Sequence, residues 1–214
     1  MAAALLGARL VHERLGVPPR IGRIVEVEAY GGPDDRASHA RAGATARTAV
    51  MFGPAGVAYV YLVYGMYHCL NVVCGPAGEA GAILIRAVEP VEGIEAMRDA
   101  RSTRLAGRHR RGSGPSVGGR RRRDVPDQML ASGPGRLCDA FEVDVSFTGA
   151  DLCARSSPLR LEPSPPGDRT PNPVWTPRVG ISYAGEPWTS LPWRLIDQGS
   201  SSISTAVHHP RQLR

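Results

Sequence analysis

The chain has 214 residues, 42% of them apolar, and a formal net charge of +6. That suffices for one domain with its own core and is short for two; it contains no apolar run near the roughly 18 residues of a membrane span, and Arg9 interrupts the apolar start that a signal peptide needs. The basic balance points to a polyanionic partner, nucleic acid being the commonest, although many basic proteins bind none; and because all 26 Lys/Arg positions are arginine, no side-chain amine exists for Schiff-base chemistry.

In chain order, residues 5–13 read as a short helix leading into a strand, and Val17-Pro18-Pro19-Arg20 as a turn. Residues 23–30 (R-I-V-E-V-E-A-Y) alternate charged and apolar side chains, which is strand period. Strict alternation places Ile24, Glu26, Glu28 and Tyr30 on one face and Val25, Val27 and Ala29 on the other. Residues 31–35 end this strand, and a polar loop follows through His39, Arg41, Thr45 and Arg47. After a turn at 53–56, residues 57–64 are rich in Val and Tyr and predict a strand. Gly65 breaks it and residues 68–74 resume it, so Gly65 belongs at or near a hairpin tip. Residues 82–88 predict another strand, ended by Glu89-Pro90, and residues 91–105 carry Ile94, Met97, Ala100 and Arg101 at helical spacing. Residues 106–123 are Gly-Ser-Arg sequence that cannot bury a core, and read as a disordered loop. A helix is expected around 135–141, a Pro-rich loop over 161–177, short strands at 179–183 and 193–196, and a frayed tail with His208, His209, Arg211 and Arg214. Strands and helices do not alternate in βαβ order, so the expected class is α+β.

Two features carry chemistry. The first is the carboxylate pair Glu26 and Glu28, whose face is either solvent or a polar cleft. The second is Y-V-Y-L-V-Y-G-M-Y at 59–67, four of the six tyrosines of the chain. Parity sends Tyr59 and Tyr61 one way and Tyr64 the other. Clustered rings in a basic protein fit a stacking platform for bases, and equally a protein–protein interface. Asn71 and Arg86 sit inside apolar strands; a charge there needs a partner, and Glu28 is a candidate. His39 has no second His or Cys spaced to complete a metal site. The cysteines Cys69, Cys74, Cys138 and Cys153 form no C-x-x-C pair and read as small buried residues in a reducing interior. No phosphate-cradling glycine motif and no G-x-S-x-G elbow is present. The residues alone therefore allow a nucleobase hydrolase or a non-catalytic nucleic-acid reader.

The order of these pieces resembles the alkyladenine (3-methyladenine) DNA glycosylase family. The blocks that carry the resemblance are R-I-V-E-V-E-A-Y with G-P-D-D and His39, Met51-Phe52 with P-A-G, Y-V-Y-L-V-Y-G-M-Y-x-C-L-N, L-I-R-A-V-E-P-V-E-G, S-G-P-G-R-L-C at 132–138 and P-R-V-G-I at 177–181. The resemblance implies a single compact α+β domain over residues 1–214, with a curved, mostly antiparallel sheet, surrounding helices and a protruding hairpin. It implies excision of alkylated or deaminated purines (3-methyladenine, 7-methylguanine, hypoxanthine, ethenoadenine) flipped out of duplex DNA. Glu28 matches the general base that activates water; Arg86 and the backbone carbonyl of Val179 match positions that help hold that water. Tyr30, His39 and Tyr61 match the residues that sandwich the flipped base, and Asn71 the one whose bulk disfavours guanine's 2-amino group. Tyr64 matches the side chain that fills the vacated stack; Met66, Tyr67, Thr45 and Arg47 fall among neighbouring DNA contacts. The family implies no cofactor, no metal and no membrane, a monomer, and a cytoplasmic setting. His68 stands where an aromatic is common, and the Arg-rich insertion is long for the family. A damaged-DNA-binding protein without catalysis is the competing expectation.

Overall fold

The computed structural model describes residues 1–111 and 125–204. A one-turn helix, α1 (Ala2–Leu5), leads into β1 (Arg9–Arg14), which turns back into β2 (Val17–Tyr30). β3 (Ala58–Val63) and β4 (Tyr67–Val73) form a hairpin; β5 (Ala82–Glu92), α2 (Ile94–Arg111) and α3 (Pro134–Ala140) follow. Three short strands, β6 (Leu159–Glu162), β7 (Pro173–Thr176) and β8 (Arg194–Asp197), complete one antiparallel sheet. The strand order is β3-β4-β5-β2-β1-β6, with β8 paired to both β2 and β7. The expected class is the one found: a single α+β domain on a curved antiparallel sheet.

β2 is the spine. One of its edges pairs with β5 along most of its length. The other pairs with β1 up to Arg23 and with β8 from Glu26 to Glu28. Enclosed in this way, every residue from Gly22 to Glu28 is buried. Helices α2 and α3 cover one face. Met97, Leu137 and Phe141 pack there against Leu10, Ile24, Val27, Leu70 and Ile85, each large side chain contributing about 1.5–3 kcal/mol when fully buried. α3 also anchors the hairpin: a Cβ on Gly135 would lie 2.8 Å from the Tyr67 ring, so only glycine lets the two approach. At the hairpin tip Tyr64 and Gly65 both have positive φ, 52° and 67°, the pattern of a type I′ turn, whose twist suits paired strands.

The structure corrects several expectations. Residues 17–20 are not a turn; the chain turns at Leu15-Gly16 and β2 starts at Val17. Its two prolines sit at the strand's start, where a missing donor is tolerated, and the β1–β2 register slips nearby. β5 does not end at Glu89-Pro90 but runs to Glu92, because β2 is long enough to pair Pro90 with Gly22. The helix expected to begin near residue 5 stops there, and β1 occupies 9–14. The Pro-rich segment 161–177 contains β7 and the end of β6, and residues 179–183 form no strand but lead into a 3-10 turn at Ser182–Ala184. Helix α2 continues to Arg111, so the first six residues of the segment expected to be disordered are helical. Its buried Met97 and Ala100 fix the early turns, and propagation from an anchored turn through arginine is favourable. Residues 112–123 and the tail histidines and arginines lie outside the described residues. Among the described residues no helix is long and apolar enough to cross a membrane.

Candidate active site

The alternation expected for β2 fails at the point where it matters. Two register irregularities lie between Ile24 and Val27, so Ile24 joins Val27 in the hydrophobic core instead of sharing a face with the two glutamates. Glu26 and Glu28 have no solvent exposure. The face is thus neither solvent nor open cleft, and a buried charge of this kind persists only with partners.

Those partners are complete. Glu26 Oε1 accepts from Arg86 Nε at 2.8 Å, Arg194 Nε at 2.7 Å and Ser204 Oγ at 2.8 Å, while Oε2 accepts from Ser204 N at 2.6 Å. Glu28 is held more lightly. Its Oε1 accepts from Val179 N at 2.7 Å; its Oε2 accepts from the Tyr30 hydroxyl at 2.9 Å and Arg86 Nη1 at 3.2 Å. Arg86 therefore bridges the two carboxylates, as its place in an apolar strand suggested, and its closer partner is Glu26. The backbone group of Val179 that meets Glu28 is its N–H.

Tyr30 joins Glu28 to a narrow cleft of about 40 Å³ lined by Tyr30, His39, Tyr59, Tyr61, Asn71 and Tyr183, with Ala37, Met51 and Ala82. The cleft lies between the loop after β2 and the β3–β4 hairpin. Ring centroids of His39 and Tyr61 are 4.4 Å apart at 80°, and those of Tyr59 and Tyr61 are 5.5 Å apart. His39 Nδ1 is 3.0 Å from the Tyr59 hydroxyl. Arg47 Nη2 is 3.2 Å from His39 Nε2, and its guanidinium lies 5.3 Å over the Tyr61 ring. Burial, helped by Arg47 and Arg41, pushes the His39 imidazole down to about 4. Since guanidinium only donates, the neutral tautomer that serves both neighbours accepts at Nε2 and donates from Nδ1 to Tyr59. Burial also raises the hydroxyls of Tyr30 and Tyr61 above the usual range, so both remain neutral donors. Asn71 Nδ2 donates to the Tyr59 carbonyl at 2.9 Å, which fixes its amide at the cleft wall.

The remaining expected residues lie outside the cleft. Tyr64 is 85% exposed at the hairpin tip, and Met66 lies beside it on the surface. Tyr67, paired with Val63 beside the tip, packs on Gly135. Thr45 closes a loop turn with Thr48, Oγ1 to Oγ1 at 2.9 Å. Three strand positions separate Tyr61 from Tyr64, or on the order of 10 Å.

Several site residues were not singled out from sequence. Ser204 and Arg194 meet Glu26 across more than 160 positions of chain, and no local pattern announces that. Tyr183, which closes the cleft and donates to the Ala37 carbonyl at 3.1 Å, stood in a segment read as strand. Asp35 and Arg178 form a buried ion pair with contacts of 2.6 and 2.9 Å; the blocks G-P-D-D and P-R-V-G-I held both without marking their pairing. Among the described residues no group of three or more His, Cys, Asp or Glu is arranged to hold a metal ion.

A buried carboxylate linked by a tyrosine hydroxyl to an aromatic cleft, in a basic chain, is an arrangement able to take a flat ring beside a proton acceptor. Comparison with known proteins gives that arrangement a family. The sequence model described as methylpurine-DNA glycosylase matches residues 1–201, and the chain belongs to that family of DNA-repair hydrolases. A relative from Anaeromyxobacter dehalogenans (strain 2CP-C), named "Putative 3-methyladenine DNA glycosylase", is 44% identical over 205 residues, covering 95% of this chain and 80% of its own length. Relatives bearing the same name from Streptomyces avermitilis and Bacillus mycoides are each 43% identical, covering 100% and 95% of this chain and 90% and 93% of their own lengths.

Proposed function

We propose that this chain hydrolyses the N-glycosidic bond of alkylated or deaminated purines flipped out of duplex DNA, with Glu28 as general base. The observation that carries the reading is the enclosed Glu28 carboxylate, held by Arg86, Val179 and Tyr30 beside a cleft of aromatic rings. In this reaction water attacks the sugar C1′ and gives its proton to Glu28. The C1′–N bond breaks, its electron pair leaves with the purine, and an abasic site remains on an intact strand. Alkylation at N3 or N7 makes the purine cationic and a good leaving group, so a modest base suffices. Tyr30, His39 and Tyr61 hold the ring, with stacking of about 1–3 kcal/mol per base offsetting the few kcal/mol of extrusion. The Val179 carbonyl and Arg86 help hold the water. Tyr64 fills the vacated stack, Met66 and Tyr67 support it in the groove, and Thr45 and Arg47 meet the strand near the cleft. The enzyme acts as a monomer and without a cofactor.

Arg86 and Glu28 together favour hydrolysis over a purely binding role, since a reader of damage needs no buried base. The test is single-turnover release from alkylated and hypoxanthine-containing duplexes. Glu28→Gln is expected to lose at least about a hundredfold, the lower range for a general base, while still binding damaged duplex. Glu26→Gln, whose carboxylate is saturated by structural partners, is expected to lose stability and retain far more of its rate per folded molecule. With no lysine in the chain, borohydride is expected to trap no covalent enzyme–DNA adduct. An active Glu28→Gln variant or a trapped adduct would overturn the mechanism.

A further inference from the structure

The Arg178 side chain has no solvent exposure, and neither does its partner Asp35 beyond 1%. Its guanidinium lies 4.8 Å from the centroid of the Tyr30 ring and 4.8 Å from that of Trp193, a cation sandwiched between two aromatic faces. Arg178 Nη1 also donates to the Ala29 carbonyl at 3.0 Å. Asp35 is fixed in turn by the N–H groups of Gly31 and Ala37 at 2.9 and 3.0 Å. Tyr30 lines the cleft, whereas the fully enclosed Arg178 is not among the lining residues. A buried charge placed against the ring that is to receive a base is more than packing requires.

We propose that Arg178, through the ring of Tyr30 and tempered by Asp35, sets the preference of the cleft between positively charged and neutral purines. The inference rests on the base-excision reading and adds a specificity-determining residue to it. An aromatic face attracts a cation through its quadrupole. When one face already carries a guanidinium, a second cation on the cleft side meets repulsion through the ring, whereas a neutral purine does not. Asp35 supplies the opposing charge and limits that repulsion. The pair therefore acts as a bias, with Arg178 disfavouring 7-methylguanine, which is cationic, relative to hypoxanthine, which is neutral, and Asp35 pulling the other way.

The opposite signs give the test. Single-turnover release is measured from duplexes carrying one 7-methylguanine or one hypoxanthine, and the ratio of the two rates is taken, since a ratio does not depend on the fraction of molecules folded. Arg178→Met is expected to raise the 7-methylguanine/hypoxanthine ratio by about threefold to tenfold, the span of one cation–π contact. Asp35→Asn, which keeps an oxygen for Arg178 and removes the counter-charge, is expected to lower it by a similar factor. Arg178→Lys is expected to stay within about twofold of the parent, because the cation remains. A merely structural role moves both neutralising variants in one direction or not at all, and either result overturns the proposal. If Arg178→Met fails to fold, Asp35→Asn and Arg178→Lys decide: a lowered ratio in the first with an unchanged ratio in the second supports the bias, and any other pair refutes it. Glu28→Gln run alongside separates the two levels. No release by the parent from either duplex removes the base-excision reading itself, whereas release by the parent that is lost in Glu28→Gln, with ratios that do not diverge, removes only the role of Arg178.

Discussion

His39 shows how a single side chain can be tuned by enclosure. Its imidazole is pushed down to about 4 in the folded chain, while an unfolded histidine titrates near 6.5. As the pH falls below about 6.5, the unfolded chain takes the proton first, so the stability this group contributes is whole above that value and is lost on the way down to 4. His12 acts in the same direction, lowered chiefly by burial. Denaturant unfolding at pH 7.5 and pH 5 is expected to show a smaller acid-side loss in His39→Gln than in the parent; equal losses would remove His39 from the account. Asn71 makes a different prediction. With its amide tied to the Tyr59 carbonyl, its bulk cannot swing aside for a 2-amino group. Asn71→Gly is expected to raise release of undamaged guanine relative to hypoxanthine by about tenfold, the value of a small volume change in a close-fitting pocket; an unchanged ratio would make Asn71 structural only. At this scale the sequence was informative where a residue broke its local context. Arg86 amid I-L-I-R-A-V demanded a carboxylate and has two. Asp35 and Arg178 broke no context, lying in polar turns where charge is ordinary, and their pairing spans 143 positions.

The β3–β4 hairpin carries the cleft wall and the exposed tip on one rigid element. Tyr64 holds a positive φ of 52°, a region where a non-glycine residue bears strain, and strain of this kind gathers at functional positions. Tyr64→Gly relieves that conformation and removes no buried surface, so stability is expected to stay within about 1 kcal/mol. Excision is expected to fall, and to fall further for a well-paired lesion than for a mismatched one, because the paired base costs more to extrude. Equal losses on both substrates, read by single-turnover kinetics, would exclude the plug. The hairpin was legible because Gly65 separates two runs of strand-forming residues. β7 and the end of β6 were not, since prolines and polar residues obscure short edge strands whose pairing is decided by distant partners. Residues 179–183 misled in the opposite sense: V-G-I-S-Y has strand composition, but Gly180 has a φ of 77°, which no extended strand contains.

At the scale of the whole molecule, the net charge of +6 sets an expectation for how the proposed enzyme meets DNA. Residues 112–123 hold a run of four arginines at 120–123. Deleting them is expected to lower non-specific duplex affinity and to reduce the slope of log affinity against log salt by up to about 0.9 for each phosphate no longer neutralised. The single-turnover rate at saturating enzyme is expected to change little; a collapse of that rate would place the segment in the active site. The fold also has a consequence in time. Glu26, two positions from the proposed base, is closed by Ser204, 178 residues further along the chain, and Arg194 arrives only slightly sooner. During synthesis the strand bearing both glutamates is made early and Arg86 can balance its charges soon after, yet Glu26 lacks its remaining partners until Arg194 and Ser204 have followed. A chain halted before Arg194 therefore carries the rings of the cleft beside an unfinished carboxylate network, which closes only when the last strand and the segment after it dock on β2.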